Sequence, residues 1–419
     1  MENPQGKTMA EREPAFLKRT WWLFPLLGLA AGAAWKMRGW SWIALDPSLA
    51  RPWSAGLLAS PSALGAAALG AAVPALWWLG LRLDRRLPPL AKTFTIPALA
   101  ALALLGAADV VMKHPSAQNP FWLALRARLQ PGYADYYARE LAYWRLDLLE
   151  ARRPGPALVV AGSSQVLHGL DFDALRAAFP GRSVLRRATA GMDQLKACSV
   201  QERMSARPGD TLVLVVSELD VIEPARIDHD WMRPLVTWRG LRDVVGSLRP
   251  WDALRQWRSV CDLALACTSE LWAGRDYVET ILARPWGVRG ASRETAGEVF
   301  RVEYDHYTQD TRNRPYVPEE LRALEKLLAR MTGAGVKVVV FEGRVNPALF
   351  TADSLALREE VRGRLAEWSR RLGFAYIPES AQAVTIDPGD WADGTHLNDA
   401  GRGKFTRYMT GVLAGLVQP

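Results

Sequence analysis

The sequence predicts an α/β protein, a domain built on a central parallel sheet and preceded by N-terminal transmembrane helices. Three observations carry that expectation. From residue 156 onward, short apolar runs alternate with helical periodicity, the pattern of strands joined by helical crossovers into one parallel sheet. Upstream, two apolar runs at 61–81 and 94–112 approach the ~20 residues a bilayer crossing needs. Composition is also divided. The 419 residues are 49% hydrophobic with 18 Trp, yet 23% charged. That mixture suits a membrane part joined to a soluble part, in a chain long enough for more than one domain.

Residues 1–19 are polar and carry Lys7, Arg12, Lys18 and Arg19; they read as a cytoplasmic tail. The run 20–35 is apolar but short for a span, and Trp21, Trp22 and Trp35 at its ends suit an interface belt. A cleaved signal peptide is the rival reading. More apolar runs follow, and no convincing cleavage site is present. The run 61–81 is rich in Gly and Ala, which lets helices pack closely. Between it and 94–112 lie Arg82, Arg85, Arg86 and Lys92 against the single acid Asp84. The positive-inside rule places that loop in the cytoplasm and everything after Lys113 on the far side. The expectation is therefore a membrane region over 20–113 with about three transmembrane helices, in a bacterial-type inner membrane, and an extracytoplasmic domain beyond it. An Ala-rich buried hairpin is the alternative. The net charge of +8 does not point to nucleic acid, because the basic residues are scattered among acids and cluster beside apolar runs.

Residues 114–155 read as a helical stalk. Pro131-Gly132 marks a turn, and Tyr136, Tyr137, Leu141, Trp144 and Leu148 then recur at helical spacing. Strands are expected near 157–161, 183–188, 211–216, 336–341 and 373–377. Helices are expected near 171–179, 193–206, 317–333, 352–372 and 398–417. Between the third and fourth strands lies an insertion of about 218–317, far longer than an ordinary α/β connection. Its first two-thirds is Trp- and Arg-rich and helical by pattern. The rest, 289–316, reads as irregular. It suits a lid, a substrate groove or a partner surface, or equally a structural embellishment.

Two stretches carry chemistry. The first is Ala157-Leu-Val-Val-Ala161 running into Gly162-Ser163-Ser164 and then the helical stretch from Gln165. A serine at such a strand-to-helix turn sits where open α/β folds bind ligands, beside N–H groups that favour developing negative charge. The second is Asp393-Gly-Thr-His396, before a long apolar-periodic helix. A carboxylate there can fix the tautomer of the imidazole, whose other nitrogen takes a serine proton. A helix cap with a surface histidine accounts for that stretch equally well on its own.

Together these stretches resemble the SGNH (GDSL-like) hydrolases over about residues 156–419. In that family a Gly-x-Ser after the first strand supplies the nucleophile, and an Asp-x-x-His near the C-terminus supplies acid and base. The resemblance assigns Ser164 as nucleophile, His396 as base and Asp393 as its orienting acid. It implies a three-layer SGNH-like domain. Gly191, after the strand beginning near Arg182, matches the block whose glycine N–H joins that of Ser164 in the oxyanion hole. The third block, normally Gly-x-Asn-Asp, is here Ser217-Glu-Leu-Asp220, without the asparagine. Asn346, after a later strand, is the candidate third donor.

The resemblance implies acyl transfer through an acyl-serine, finished by water or by a sugar hydroxyl. Membrane-anchored members with an outward catalytic domain include proteins of alginate O-acetylation and teichoic-acid D-alanylation, which work beside a multispan membrane O-acyltransferase. The expected function is O-acylation of an exported polysaccharide or envelope glycan, with a carbohydrate polymer or acyl ester as substrate. A membrane-bound esterase or deacetylase, and a catalytically silent glycan-binding or scaffold module, are the alternatives. No cofactor is expected: Walker A, Rossmann and EF-hand patterns are missing from the sequence, and no His/Cys cluster suggests a metal. Of the five histidines, His168 competes with His396 as base, since it follows Ser164 by one turn and precedes Asp171. Cys261 and Cys267, if on one continuous helix, lie about 9 Å apart along its axis, too far for a disulfide.

Overall fold

A computed structural model describes residues 155–417, apart from 205, 223–226, 276–304, 313 and 315, together with 104, 106–113, 141, 144 and 145. The chain divides into two compact units, Met1–Ala124 and Leu125–Pro419. The apolar runs expected to span a membrane lie outside the described residues, apart from the end of the third. Among the described residues no helix is long and apolar enough to cross a membrane.

The second unit is α/β. Its strands β1 (Ala157–Gly162), β2 (Ser183–Ala188), β3 (Thr211–Val216), β4 (Lys337–Glu342) and β5 (Ala375–Ile377) form one sheet in the order β2-β1-β3-β4-β5. Every pairing is parallel. β1 and β3 are buried at every residue, as their unbroken apolar sequences require of strands covered on both faces. Alternate side chains feed two separate cores. Val159, Leu212 and Val340 face the helices Val317–Gly333 and Ala352–Leu372. Leu158, Val213 and Phe341 face Ser164–Gly169, Phe172–Ala178 and Asp399–Leu416. At the amino end of the sheet, Asp210 accepts from the N–H of Ala157 and of Arg207, and its own carbonyl accepts from Lys337. One residue thereby levels β1, β3 and β4.

Each strand and helix expected from residue 156 onward is found, with instructive differences, whereas the expected membrane helices and most of the stalk lie outside the described residues. β5 starts two residues late because Gly373 ends the preceding helix in the left-handed conformation, φ +76°. The helix expected over 193–206 stops at Ser199 and resumes as a 3₁₀ turn, Gln201–Met204. Ser199 Oγ bonds back to Lys196 O, and the Ser199 carbonyl accepts from Thr237 N. The helix Trp238–Val245 crosses there so closely that a Cβ on Gly240 would lie 1.9 Å from that carbonyl oxygen.

The insertion contributes the helices His229–Met232, Trp238–Val245, Pro250–Arg255, Trp257–Thr268 and Glu270–Ala273. Residues 305–312, expected to be irregular, are helical. Cys261 and Cys267 lie on the unbroken Trp257–Thr268 helix and are free thiols, as their spacing requires. Leu141 and Trp144, from the expected stalk, are buried in the larger core, and Trp144 Nε1 donates to Arg203 O at 2.9 Å.

Candidate active site

Strand order reverses at β1, whose neighbours β2 and β3 continue the chain in opposite directions. The carboxyl ends of β1 and β3 therefore flank the topological switch point, where open α/β sheets bind ligands. The register brings the relevant turns level. Gly162 pairs with Ala188, Ala161 with Leu214, and Val216 with Glu342. Ser164, Gly191, Ser217–Asp220 and Asn346 all follow these levels at one edge of the sheet.

The turn after β1 depends on glycine. A Cβ on Gly162, at φ +154°, would lie 2.4 Å from Val166 Cγ2 and 3.0 Å from Val215 O. Ser163 caps the Ser164–Gly169 helix through its backbone only. The Ser163 hydroxyl is buried and donates to Asp220. Ser164, the first helical residue, is half-buried. The adjacent serines are thus distinct, one locked beneath the turn and one presented at its edge.

The acid–base pair forms on a closed loop rather than on the helix that follows. A bridge between Trp391 and Leu397 and the bond from Ala392 N to His396 O pinch residues 391–397 into a small hairpin. Inside it, Asp393 Oδ1 accepts from the N–H of Thr395 at 2.8 Å and of His396 at 2.7 Å. Asp393 Oδ2 meets His396 Nδ1 at 2.7 Å. Burial pushes the Asp393 carboxyl up, but the bonds from His396 and Thr395 outweigh it and hold the group below its ordinary value. With Nδ1 given to Asp393, Nε2 is the nitrogen left for a substrate proton. It is buried and has no hydrogen-bond partner among the described residues, Ser164 included. The helix after the loop is capped by Asn398, and a Cβ on Gly401 would lie 2.4 Å from Asp390 O.

His168 links the two halves. It follows Ser164 by one helical turn, where side chains stand about 5–6 Å apart at their Cβ atoms. Its ring meets His396 edge to face, with centroids 4.7 Å apart. Part of the ring reaches solvent. Packing around the rest, and then the nearby His396, hold its pKa below the ordinary 6.5. Asp171 does not serve it, because its Oδ1 caps the helix Phe172–Ala178.

Gly191 adopts φ +62°, a conformation natural to glycine. Its carbonyl accepts from Lys196 Nζ at 2.8 Å, and Lys196 pairs with Asp193 at 3.1 Å. Asp193 caps the helix Gln194–Ser199. Burial pushes its carboxyl up, as it does that of Glu320, which accepts from Leu195 N. The Gly191 turn is therefore moored by a buried polar cluster.

Asn346 stands beside the acid–base loop. Its backbone N–H donates to Gly394 O at 3.1 Å and its Nδ2 to Asp393 O at 3.4 Å, while Oδ1 accepts from Ala348 N. In this geometry its amide holds the Asp393–Gly394 backbone.

Sequence reasoning missed the role of Asp220. It accepts from Ser217 N at 2.7 Å, Ser217 Oγ at 3.1 Å and Ser163. Burial lifts its pKa to about 6 despite those bonds. Gln165 was also missed. It is buried, donates to Arg344 O at 2.9 Å, and occupies space that a Cβ on Gly343 would invade at 2.4 Å. Among the described residues no cluster of His, Cys, Asp and Glu could hold a metal ion.

No family model matches the chain, and no curated protein matches it.

Proposed function

We propose that the chain is a membrane-anchored serine acyltransferase of SGNH type, O-acetylating an exported polysaccharide or envelope glycan. The observation that carries this reading is the Asp393–His396 pair, held at 2.7 Å with Nε2 left over, packed through His168 against the helix that begins at Ser164. His396, oriented by Asp393, takes the Ser164 proton. The serine oxygen attacks an ester carbonyl, and the carbonyl π electrons move onto oxygen, where the N–H groups of Ser164 and Gly191 receive the charge. Collapse expels the donor alkoxide, which recovers a proton from His396 and leaves an acyl-serine. A sugar hydroxyl then completes transfer, with a multispan membrane acyltransferase as the partner that supplies acyl groups. Water in its place gives an esterase.

A silent glycan-binding module is favoured by one observation, that Nε2 and Ser164 are not hydrogen-bonded in the resting geometry. A fluorophosphonate probe decides between them. Covalent trapping at Ser164 supports the enzyme, and no labelling of folded protein sinks it. Acyl-donor turnover measured with and without glycan acceptors then separates transferase from esterase. Reporter fusions at residues 90 and 419 test the topology; a cytoplasmic C-terminus would rule out an envelope substrate.

A further inference from the structure

The insertion presents an apolar surface that the proposed chemistry does not use. Trp251, Leu254, Trp257 and Leu265 are each about half exposed or more, at 66%, 56%, 55% and 49%. These four fall within two successive short helices and make up half of the eight large exposed hydrophobic residues among those described. On Pro250–Arg255, which buries no residue, Trp251 and Leu254 are three apart and share a face. On Trp257–Thr268, the buried residues are Leu263 and Ala266, and the exposed stripe Trp257, Cys261 and Leu265 recurs every four. The exposed charge bordering the stripe is mainly basic, with Asp252, partly exposed on the first helix, as the acid among it. Arg255 and Arg258 are exposed beside Leu254 and Trp257, and neither has an acidic partner among the described residues. Arg258 lies 5.7 Å from the centre of the Trp257 ring. Asp262, an acid on the same helix, is turned inward onto Arg233 and Arg275.

We infer that this face docks on an anionic lipid bilayer surface. Exposed Trp and Leu alone would suit several partners. The commitment rests on charge complementarity and side-chain type together. Trp rings favour the headgroup level, helices that lie in the interface set Trp and Leu against Arg, and exposed arginines without acidic partners are attracted to anionic headgroups. The docking is independent of the catalytic reading. It lays the two helices on the lipid and bears on any substrate emerging at that surface.

Cys261 provides the test, since it lies within the stripe and is an exposed free thiol. Burial lifts the Cys198 thiol to about 12 and the Cys267 thiol to about 11, so a maleimide fluorophore at neutral pH selects Cys261 on the unsubstituted full chain. The labelled chain is reconstituted in vesicles of phosphatidylcholine alone or mixed with phosphatidylglycerol, with a headgroup-level nitroxide lipid as quencher. A Cys261→Ser/Leu355→Cys chain, labelled at exposed Leu355 on the Ala352–Leu372 helix, gives the background. The expected result is severalfold stronger quenching at Cys261 than at the control, greatest with phosphatidylglycerol and reduced by Arg255→Glu/Arg258→Glu. Quenching no stronger than the control in both vesicles would overturn the inference. Shielding of the probe found only in native membranes, and not in pure lipid, would assign the face to a protein and overturn it equally.

Discussion

Replacing Asp220 by Asn tests whether this buried acid is what secures the turn beneath Ser164. Its carboxyl is raised from 3.8 to about 6 by burial, a preference for the neutral form worth about 3 kcal/mol at 1.36 kcal/mol per pKa unit. The sign follows from proton counting. Between those two values the folded chain holds a proton on Asp220 that the unfolded chain has lost, so stability falls as pH rises through the window. The contribution is complete below about pH 4 and gone above about pH 6. Asn keeps one oxygen to accept from Ser217 N and Ser217 Oγ, which both donate to a single carboxylate oxygen, but cannot ionise. Urea unfolding followed by tryptophan fluorescence, on both proteins across that range, isolates the group from every other titration. The wild-type stability minus that of the variant should fall by about 3 kcal/mol from acid to neutral pH. A flat difference would show that folding leaves the Asp220 pKa at its ordinary value, and a rise would show that the bonds from Ser163 and Ser217 outweigh its burial.

Four further outcomes are expected. Ser164→Ala should abolish fluorophosphonate labelling while the protein stays folded, and Ser163→Ala should retain some; the opposite pattern would make Ser163 the nucleophile. His396→Ala should slow acylation by about 100- to 10,000-fold, the usual range for a general base, and adding Asp393→Ala should cost little more because the pair acts as a unit. Asn346→Ala separates two roles when acylation and transfer are timed individually: loss of an oxyanion donor slows acylation by about 100- to 1,000-fold, loosening of the Asp393–Gly394 backbone costs far less, and no change in either step removes it from the site. His168, held below its ordinary value by burial and by His396, favours the folded state when neutral. That stability is present above pH 6.5 and lost as pH falls through the depressed value, so His168→Phe should lose less stability on acidification than wild type, as read from urea midpoints.

The parts of this fold legible in the sequence are those where local pattern and tertiary demand agree. β1 and β3 are unbroken apolar runs because both faces are covered, and Asp393 with His396 is legible because acid and base lie within one loop. The rest depended on distant partners. Residues 305–312 carry no apolar stripe. They are helical around buried Tyr307 and Thr311, with Tyr307 donating to Glu218 from the far side of the insertion. Ser217-Glu-Leu-Asp220 reads as a missing asparagine, yet its aspartate is spent on Ser163 across the β1–β3 boundary. Contact between His168 and His396 required knowing that the last helix packs beside the first. The break at Ser199 came from Gly240, whose close approach no local propensity reveals.

The sheet order carries a consequence for the order of events during synthesis. β1 sits between β2 and β3, so the first three strands can assemble while the ribosome is still translating the insertion. The Ser164 turn can then exist with Gly191 beside it. His396 lies on the hairpin at 391–397, held by Asn346 on one side and by the close approach of Gly401 to Asp390 on the other. On the proposed mechanism, the Ser164 hydroxyl gains a base only after the final helix docks. If that mechanism holds, a nascent or C-terminally clipped chain carries an unactivated serine, and reactivity arrives with the last turns of the polypeptide.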